Sequence, residues 1–128
     1  MSVSKRVSEH AVTSLWEEIA SSICGPAVCS HAPGKFIFKL AEVFKAENPL
    51  YVVRAIQRGD PAYFVAFQVR LDQMHLALAD HGADAFAVSA ITRARYVIAG
   101  FQDAAAVRLR KFGGAWPLAT SELEECSA

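Results

Sequence analysis

The sequence predicts an α+β fold, a two-layer sandwich in which a small antiparallel or mixed sheet of about 3–4 strands is covered by helices. Near the N-terminus, apolar residues recur every three or four positions, which is the spacing of an amphipathic helix. Two central stretches are instead rich in β-branched and aromatic residues, and the turn sequence Arg-Gly-Asp-Pro at 58–61 separates them. Because the apolar face of such a sheet must be covered, the predicted helices would form the second layer.

The first predicted helix runs from about Ser4 to Ser22, and Gly25 and Pro26 end it. Its apolar stripe consists of Val12, Leu15, Trp16, Ile19 and Ile23, and its polar face carries Glu9, His10, Glu17 and Ser21. Residues 24–34 have no periodicity and predict a loop. Residues 35–47 are ambiguous between helix and strand, and their good helix formers favour a helix that Pro49 closes.

The predicted strands follow. Residues 50–57 and 63–71 are expected to form an antiparallel hairpin, in which Val65, Phe67, Val69 and Leu71 face the same side. Residues 95–101 predict a third strand, because the run Tyr-Val-Ile-Ala is typical of a strand covered on both faces. Short helices are predicted over 72–80 and 103–111, and residues 84–92 fit helix and strand equally.

An all-α helical bundle is the alternative. Asn48-Pro49 and Asp60-Pro61 each combine an N-cap residue with a proline at the first helical position. A helical stripe lies in the segment that follows them, formed by Phe64, Phe67, Leu71, Met74 and Leu78. The central apolar residues therefore fit helices as well as strands.

Length and composition bound the class of protein. A chain of 128 residues has the size of one domain, and residues 1–3 and 119–128 are expected to be flexible ends. The chain is 53% hydrophobic and 20% charged, so some apolar surface must stay exposed, which favours a homodimer or another protein partner. No apolar run approaches the ~20 residues that cross a bilayer, and no signal peptide is evident. Three cysteines cannot all pair within the chain, which favours the cytoplasm.

Few residues suggest catalysis or metal binding. Cys24, Cys29 and His31 are the one cluster of soft ligands, but a closed zinc site needs about four, so we expect no metal and no cofactor. Asp72 and His75, one helical turn apart, could form a base with its partner, although a surface pair is the commoner outcome. No phosphate-binding loop, dinucleotide fingerprint, zinc-protease motif or nucleophile elbow is present. These observations leave enzyme activity uncertain and less favoured than its absence.

Charge is the most informative pattern for function. The chain has equal numbers of cations and acids, so no overall field attracts nucleic acid. Its basic residues are nevertheless concentrated between 93 and 111, with Asp103 as the single acid there, whereas Glu122, Glu124 and Glu125 lie near the C-terminus. The predicted partner-binding residues are Arg93, Arg95, Arg108, Arg110 and Lys111.

Three functions fit these observations. The favoured one is a small non-catalytic binding protein, acting on protein partners or on itself as a regulator, inhibitor or accessory subunit. The second is a small enzyme or ligand sensor with a pocket between sheet and helices, using Asp72, His75 or the Cys24, Cys29 and His31 loop. The third is nucleic-acid binding through the local cations, which the neutral total makes less favoured.

Overall fold

The computed structural model describes residues 8–29, 34–80, 82 and 85–111, and these residues form helices connected by short turns. The α-helices are α1 (Glu9–Ile23), α2 (Pro26–Cys29), α3 (Gly34–Ala46), α4 (Pro49–Gln57), α5 (Val65–Asp80) and α6 (Ala85–Lys111). A 3₁₀-helix, Pro61–Phe64, leads directly into α5. The predicted flexible ends, 1–3 and 119–128, lie outside the described residues.

The α+β prediction is wrong, and the all-helical alternative is confirmed. Within the described ranges no strand is present. The first predicted strand is α4, the second spans the 3₁₀-helix and the start of α5, and the third lies inside α6. The prediction failed because periodicity alone does not distinguish a strand from a helical segment in a short apolar run.

Local capping explains why the central segments are helical. The side chain of Asn48 accepts a hydrogen bond from the backbone N–H of Leu50 at 3.0 Å, and Pro49 occupies the first helical position of α4. Pro61 does the same for the 3₁₀-helix, whose N-cap is Asp60. All members of the predicted helical stripe in this region are buried, namely Phe64, Phe67, Leu71, Met74 and Leu78.

The first helix is confirmed over Glu9–Ile23. Ser8 caps its N-terminus by accepting from the N–H of Ala11 at 3.3 Å. Four of the five residues in its predicted apolar stripe are buried and Leu15 is half-buried, while the predicted polar face is exposed. The segment 35–47, left between helix and strand, belongs to α3, and the predicted loop contains the short α2.

Helix α6 is the centre of the bundle. It contacts α1, α2, α4, α5 and the 3₁₀-helix. Its buried stripe alternates spacings of four and three and consists of Ala87, Ile91, Ala94, Ile98, Phe101 and Ala105. Alanine at half of these positions lets neighbouring helices approach closely. The described buried residues, from Val12 to Ala105, form one core cluster.

An aromatic chain runs through that core. Trp16 stacks on Phe44 with ring centroids 5.7 Å apart and meets Phe67 edge-on at 5.1 Å. The chain continues through Tyr63 and Phe64 to Phe101 on α6, 6.2 Å from Phe64.

Among the described helices, none combines the length and apolar character of a membrane span.

Candidate interaction surface

Helix α5 is apolar on two opposite sides. Its inward side is the buried stripe that starts at Phe67, and a second stripe of exposed apolar side chains lies on the outward side. The outward stripe consists of Val65, Val69 and Leu76, which recur at i, i+4 and i+11 and so share one face of the helix. Leu76 is 62% exposed, although core packing requires apolar residues on only one side of a surface helix.

Helix α6 carries a second outward stripe with the same spacing. Tyr96 and Val107 are separated by eleven residues and share a face, with Gly100 between them at i+4 of Tyr96. Tyr96 is 81% exposed. A Cβ built on Gly100 would meet nothing within 4 Å, so there is open space next to Tyr96. The exposed Asp103 lies on the same face between Gly100 and Val107.

The two stripes lie on neighbouring helices whose relative position is fixed by polar contacts. An ion pair joins Arg95 of α6 to Asp72 of α5 at 2.8 Å, and the side-chain N–H of Gln68 approaches the carbonyl oxygen of Arg95 at 3.5 Å. We call this apolar surface the outer face, and define it by Val65, Val69, Leu76, Tyr96 and Val107. The exposed Asp72 of α5 and Asp103 of α6 lie on the same sides of their helices, at i+7 of Val65 and of Tyr96, so the outer face combines apolar and acidic side chains. Exposed apolar side chains grouped on neighbouring helices are typical of a binding surface.

The five predicted partner-binding cations do not form one patch. Arg93 and Arg95 are two residues apart, so they point about 200° apart around α6. Arg93 pairs with Glu18 of α1, and Arg95 pairs with Asp72 of α5. Both pairs are largely solvent-exposed and cross from α6 to opposite neighbours, so these two cations serve different sides of the helix.

The remaining three cations occupy the last turn of α6, where positive charge complements the helix dipole. The Nε–H of Arg108 donates to the carbonyl oxygen of Gln57 at 2.7 Å and so binds the C-terminus of α4. Arg110 and Lys111 are exposed. Partner binding by these cations stays a prediction. Within the described residues they do not form a stripe of five, and Arg110 and Lys111 are two adjacent exposed charges at the end of α6.

The cysteines sit at the junction of α1, α2 and α3. The thiol of Cys24 approaches the carbonyl oxygen of Ala41 and the thiol of Cys29 that of Ile23, each at 3.4 Å. Burial is the main cause that raises the pKa of both thiols above the ordinary value. His31 lies outside the described residues, and within the described part no three potential ligands gather at a metal-binding distance.

Iodoacetamide is expected to alkylate Cys24 and Cys29 several-fold more slowly in the folded protein than in the urea-unfolded chain at neutral pH. The reason is that the raised pKa leaves less of the reactive thiolate. The rates in the folded protein should keep rising as the pH passes the ordinary thiol pKa of 9.0. Mass spectrometry of the two peptides measures each rate, and equal rates with and without urea would contradict the expectation.

Asp72 and His75 do not form a catalytic pair. Asp72 is exposed and engaged with Arg95, as described above. His75 is half-buried, and its Nδ1 is a buried atom without a hydrogen-bond partner among the described residues. A general base needs an orienting group at this position. No described carboxylate binds the Nδ1 of His75, so this orienting group is missing among the described residues.

A surface cleft of about 290 Å³ lies between α1 and the α3–α4 junction. It is lined by Trp16, Glu17, Ala20, Ser21, Phe44, Lys45, Glu47 and Pro49. The hydroxyl of Tyr63 donates to Glu47, and burial raises the pKa of the Glu47 carboxyl. None of the reactive groups predicted from sequence lines this cleft, so the structure does not bring them to a shared pocket there.

Sequence reasoning missed the residues of the outer face. Val65 and Val69 were assigned to the same side of a strand as Phe67 and Leu71, whereas the helix turns the first two outward and the last two inward. Once residues 65–80 are recognised as a helix, the i, i+4, i+11 spacing of Val65, Val69 and Leu76 predicts that these three side chains share one face.

Comparison with known proteins adds no family. No protein-family model, no curated protein and no solved structure matches this chain.

Proposed function

We propose that this chain is a non-catalytic protein-binding domain that works through the outer face of α5 and α6, as a regulator, inhibitor or accessory subunit. The observation that carries the proposal is the second apolar stripe of α5. Val65, Val69 and Leu76 lie outside the core cluster and are about half exposed or more, and the exposure of their apolar surface to water is unfavourable by roughly 25 cal/mol per Å². A partner that covers the stripe removes that cost.

The composition of the outer face supports the same function. Tyrosine is enriched among the residues that supply most of the binding energy of interfaces, and Tyr96 is 81% exposed on the outer face. The ion pair between Arg95 and Asp72 lies within the same face, between Val69 and Leu76, and offers a partner polar contacts beside the apolar ones. A second copy of the chain is one partner that this surface fits, in keeping with the homodimer expected from composition.

We also propose a cytoplasmic location, supported by the free thiols of Cys24 and Cys29.

Site-specific photo-crosslinking tests the proposal. Benzoylphenylalanine is introduced into the full chain at Leu76 or Tyr96, and, as matched controls, at the exposed Leu50 or Tyr51 of α4. We expect intermolecular adducts of discrete mass from the two outer-face positions in cells of the source and none from the two controls. Val69→Lys should abolish the adducts, because it replaces one of the three apolar side chains of the α5 stripe with a charge that a partner covering the stripe would have to remove from water.

The outcomes separate the candidate partners. An adduct of twice the chain mass identifies a second copy, and another discrete mass identifies a different protein. Equal crosslinking from all four positions, or none from Leu76 and Tyr96, would contradict the proposal. Nucleic-acid binding would instead give an affinity that falls steeply with salt and with charge reversal at Arg110.

A further inference from the structure

We propose that the partner of the outer face is a second copy of the chain. The two copies are related by a two-fold axis that sets each helix antiparallel to its own copy, with Tyr96 of one copy beside Gly100 of the other. The inference rests on the proposed function, because it names the partner of the same surface. Shape on α6, the alignment of α5 with α6, and charge carry it.

Tyr96 and Gly100 are complementary in shape. The side chain of Tyr96 is 81% exposed, and a Cβ built on Gly100 would meet nothing within 4 Å. The two residues are four positions apart and share one face of α6. When two copies of α6 lie antiparallel with the axis level with residue 98, each tyrosine ring lies over the glycine of the other copy. A two-fold interface requires such a self-complementary surface.

Helix α5 runs antiparallel to α6, and two contacts fix their relative levels. Phe64, which leads into α5, packs on Phe101 with ring centroids 6.2 Å apart. Farther along α5, the side chain of Gln68 approaches the carbonyl oxygen of Arg95 at 3.5 Å. Residue 98 of α6 lies midway between these two contacts, so it is level with residues 66–67 of α5.

Val65 and Val69 lie on either side of that level. They are 49% and 48% exposed and share the outward side of α5. An axis perpendicular to both helices places α5 opposite α5 of the second copy, so Val65 of each copy meets Val69 of the other. The axis that Tyr96 and Gly100 locate on α6 therefore also pairs the exposed valines of α5.

Charge complementarity supports the same alignment. Arg93 and Asp103 are exposed, and they lie five residues before and five residues after the level of the axis. Arg93 of each copy is therefore level with Asp103 of the other. Asp103 has no ion pair within the described ranges, and Arg93 pairs with Glu18, where both side chains are more than half exposed. Such an exposed pair holds its cation weakly, so Arg93 is available to a second carboxylate.

Sedimentation equilibrium of the full chain tests the inference, because it measures the mass and the dissociation constant of the dimer. We expect a mass that approaches twice that of one chain as concentration rises. Gly100→Gln should raise the dissociation constant about tenfold, because its side chain occupies the space that Tyr96 of the second copy fills. It should not weaken folding, since glutamine favours a helix more than glycine does. The matched Ser14→Gln, at an exposed position of α1, should leave the dissociation constant unchanged.

Charge exchange tests the alignment of the two copies. Arg93→Glu and Asp103→Arg should each raise the dissociation constant about tenfold, because each sets like charges level with one another at two places in the dimer. Combined in one chain, the two substitutions restore opposite charges, so the dissociation constant should return close to that of the wild type. Arg95→Glu combined with Asp103→Arg is the control and should restore nothing, because Arg95 lies on the side of α6 that faces α5.

Three results would overturn the inference: a chain that stays monomeric at every concentration, a dimer that Gly100→Gln leaves intact, or charge substitutions at Arg93 and Asp103 that do not restore each other. The crosslinking result separates these from the proposed function. A monomeric chain that still gives adducts with another protein from Leu76 and Tyr96 would remove only the inference. A chain with neither a dimer nor adducts would remove the proposed function as well.

Discussion

Replacing Trp16 with alanine is expected to lower the free energy of unfolding by about 3–5 kcal/mol, as for other fully buried aromatic residues. Trp16 is 1% exposed and packs on Phe44 and Phe67, so alanine would leave a cavity between α1, α3 and α5. Urea unfolding followed by circular dichroism measures the loss. Tyr51→Ala, at a tyrosine 52% exposed on α4, is the control and should change stability little.

The indole N–H contributes to this effect separately. It donates to the carbonyl oxygen of Phe44 at 3.0 Å, and that carbonyl belongs to the last turn of α3, where backbone oxygens lack a partner within the helix. Trp16→Phe keeps a large ring but removes the donor, so we expect a smaller loss of about 1–3 kcal/mol. A loss for Trp16→Ala no larger than for Tyr51→Ala would show that the ring is not part of the core.

The sequence predicted the first helix because its apolar stripe and its polar face are complete. Trp16 and Ile19 are buried, and Glu17 between them is exposed, so the period of the helix is visible in every turn. The excess of apolar residues over what one small core can hide was also predictable from composition. Part of that excess lies on the outer face, and the rest includes exposed side chains of α3, α4 and the start of α6, namely Phe36, Phe38, Leu50, Tyr51 and Phe86.

Only the last part of α6, residues 103–111, was predicted as a helix, because half of the buried positions of α6 are alanine. Ala94 and Ala105 pack against neighbouring helices as fully as Ile98 does, but alanine gives a weak hydrophobic signal. The run Tyr96 to Ala99 then stood out as apolar, and it predicted a strand. In the helix, Tyr96 points to solvent and Ile98 to the core, so these neighbours do not share a covered sheet.

The turn between α4 and the 3₁₀-helix misled the sequence prediction for a different reason. The sequence Arg-Gly-Asp-Pro suits a hairpin turn, but it also suits the end of one helix followed by the start of another. In the structure the N–H of Gly59 donates to Ile56 and that of Asp60 donates to Ala55, the paired hydrogen bonds of a glycine-terminated helix. Only tertiary packing distinguishes the two uses of the same residues.

Gly59→Ala is accordingly expected to lower the free energy of unfolding by about 2–4 kcal/mol, because two separate penalties add. Gly59 has a φ of 71°, a left-handed conformation that costs L-residues about 1–2 kcal/mol. A Cβ at this position would also lie 2.9 Å from the backbone nitrogen of Leu109 on α6. Neither the helix backbone at Leu109 nor the α4 terminus, which Arg108 binds through Gln57, can move aside freely.

Gly82 is the matched control that separates the two penalties. It has nearly the same φ, 65°, but a Cβ there would meet nothing within 4 Å. Gly82→Ala should therefore cost only the conformational part, about 1–2 kcal/mol. Asparagine tolerates the left-handed conformation, so Gly82→Asn should be nearly neutral, whereas Gly59→Asn should remain strongly destabilising because its Cβ meets the same backbone.

Comparing the four variants by urea unfolding tests how α4 docks on the central helix. If the close approach of Gly59 to Leu109 is real, the loss at residue 59 exceeds the loss at residue 82 for alanine and for asparagine alike. Equal losses at the two sites would mean that the end of α4 stands clear of α6. Arg108 and Arg110 lie in the last turn of α6, next to this contact. Equal losses would therefore also mean that the end of α4 does not hold these two predicted partner-binding cations in place.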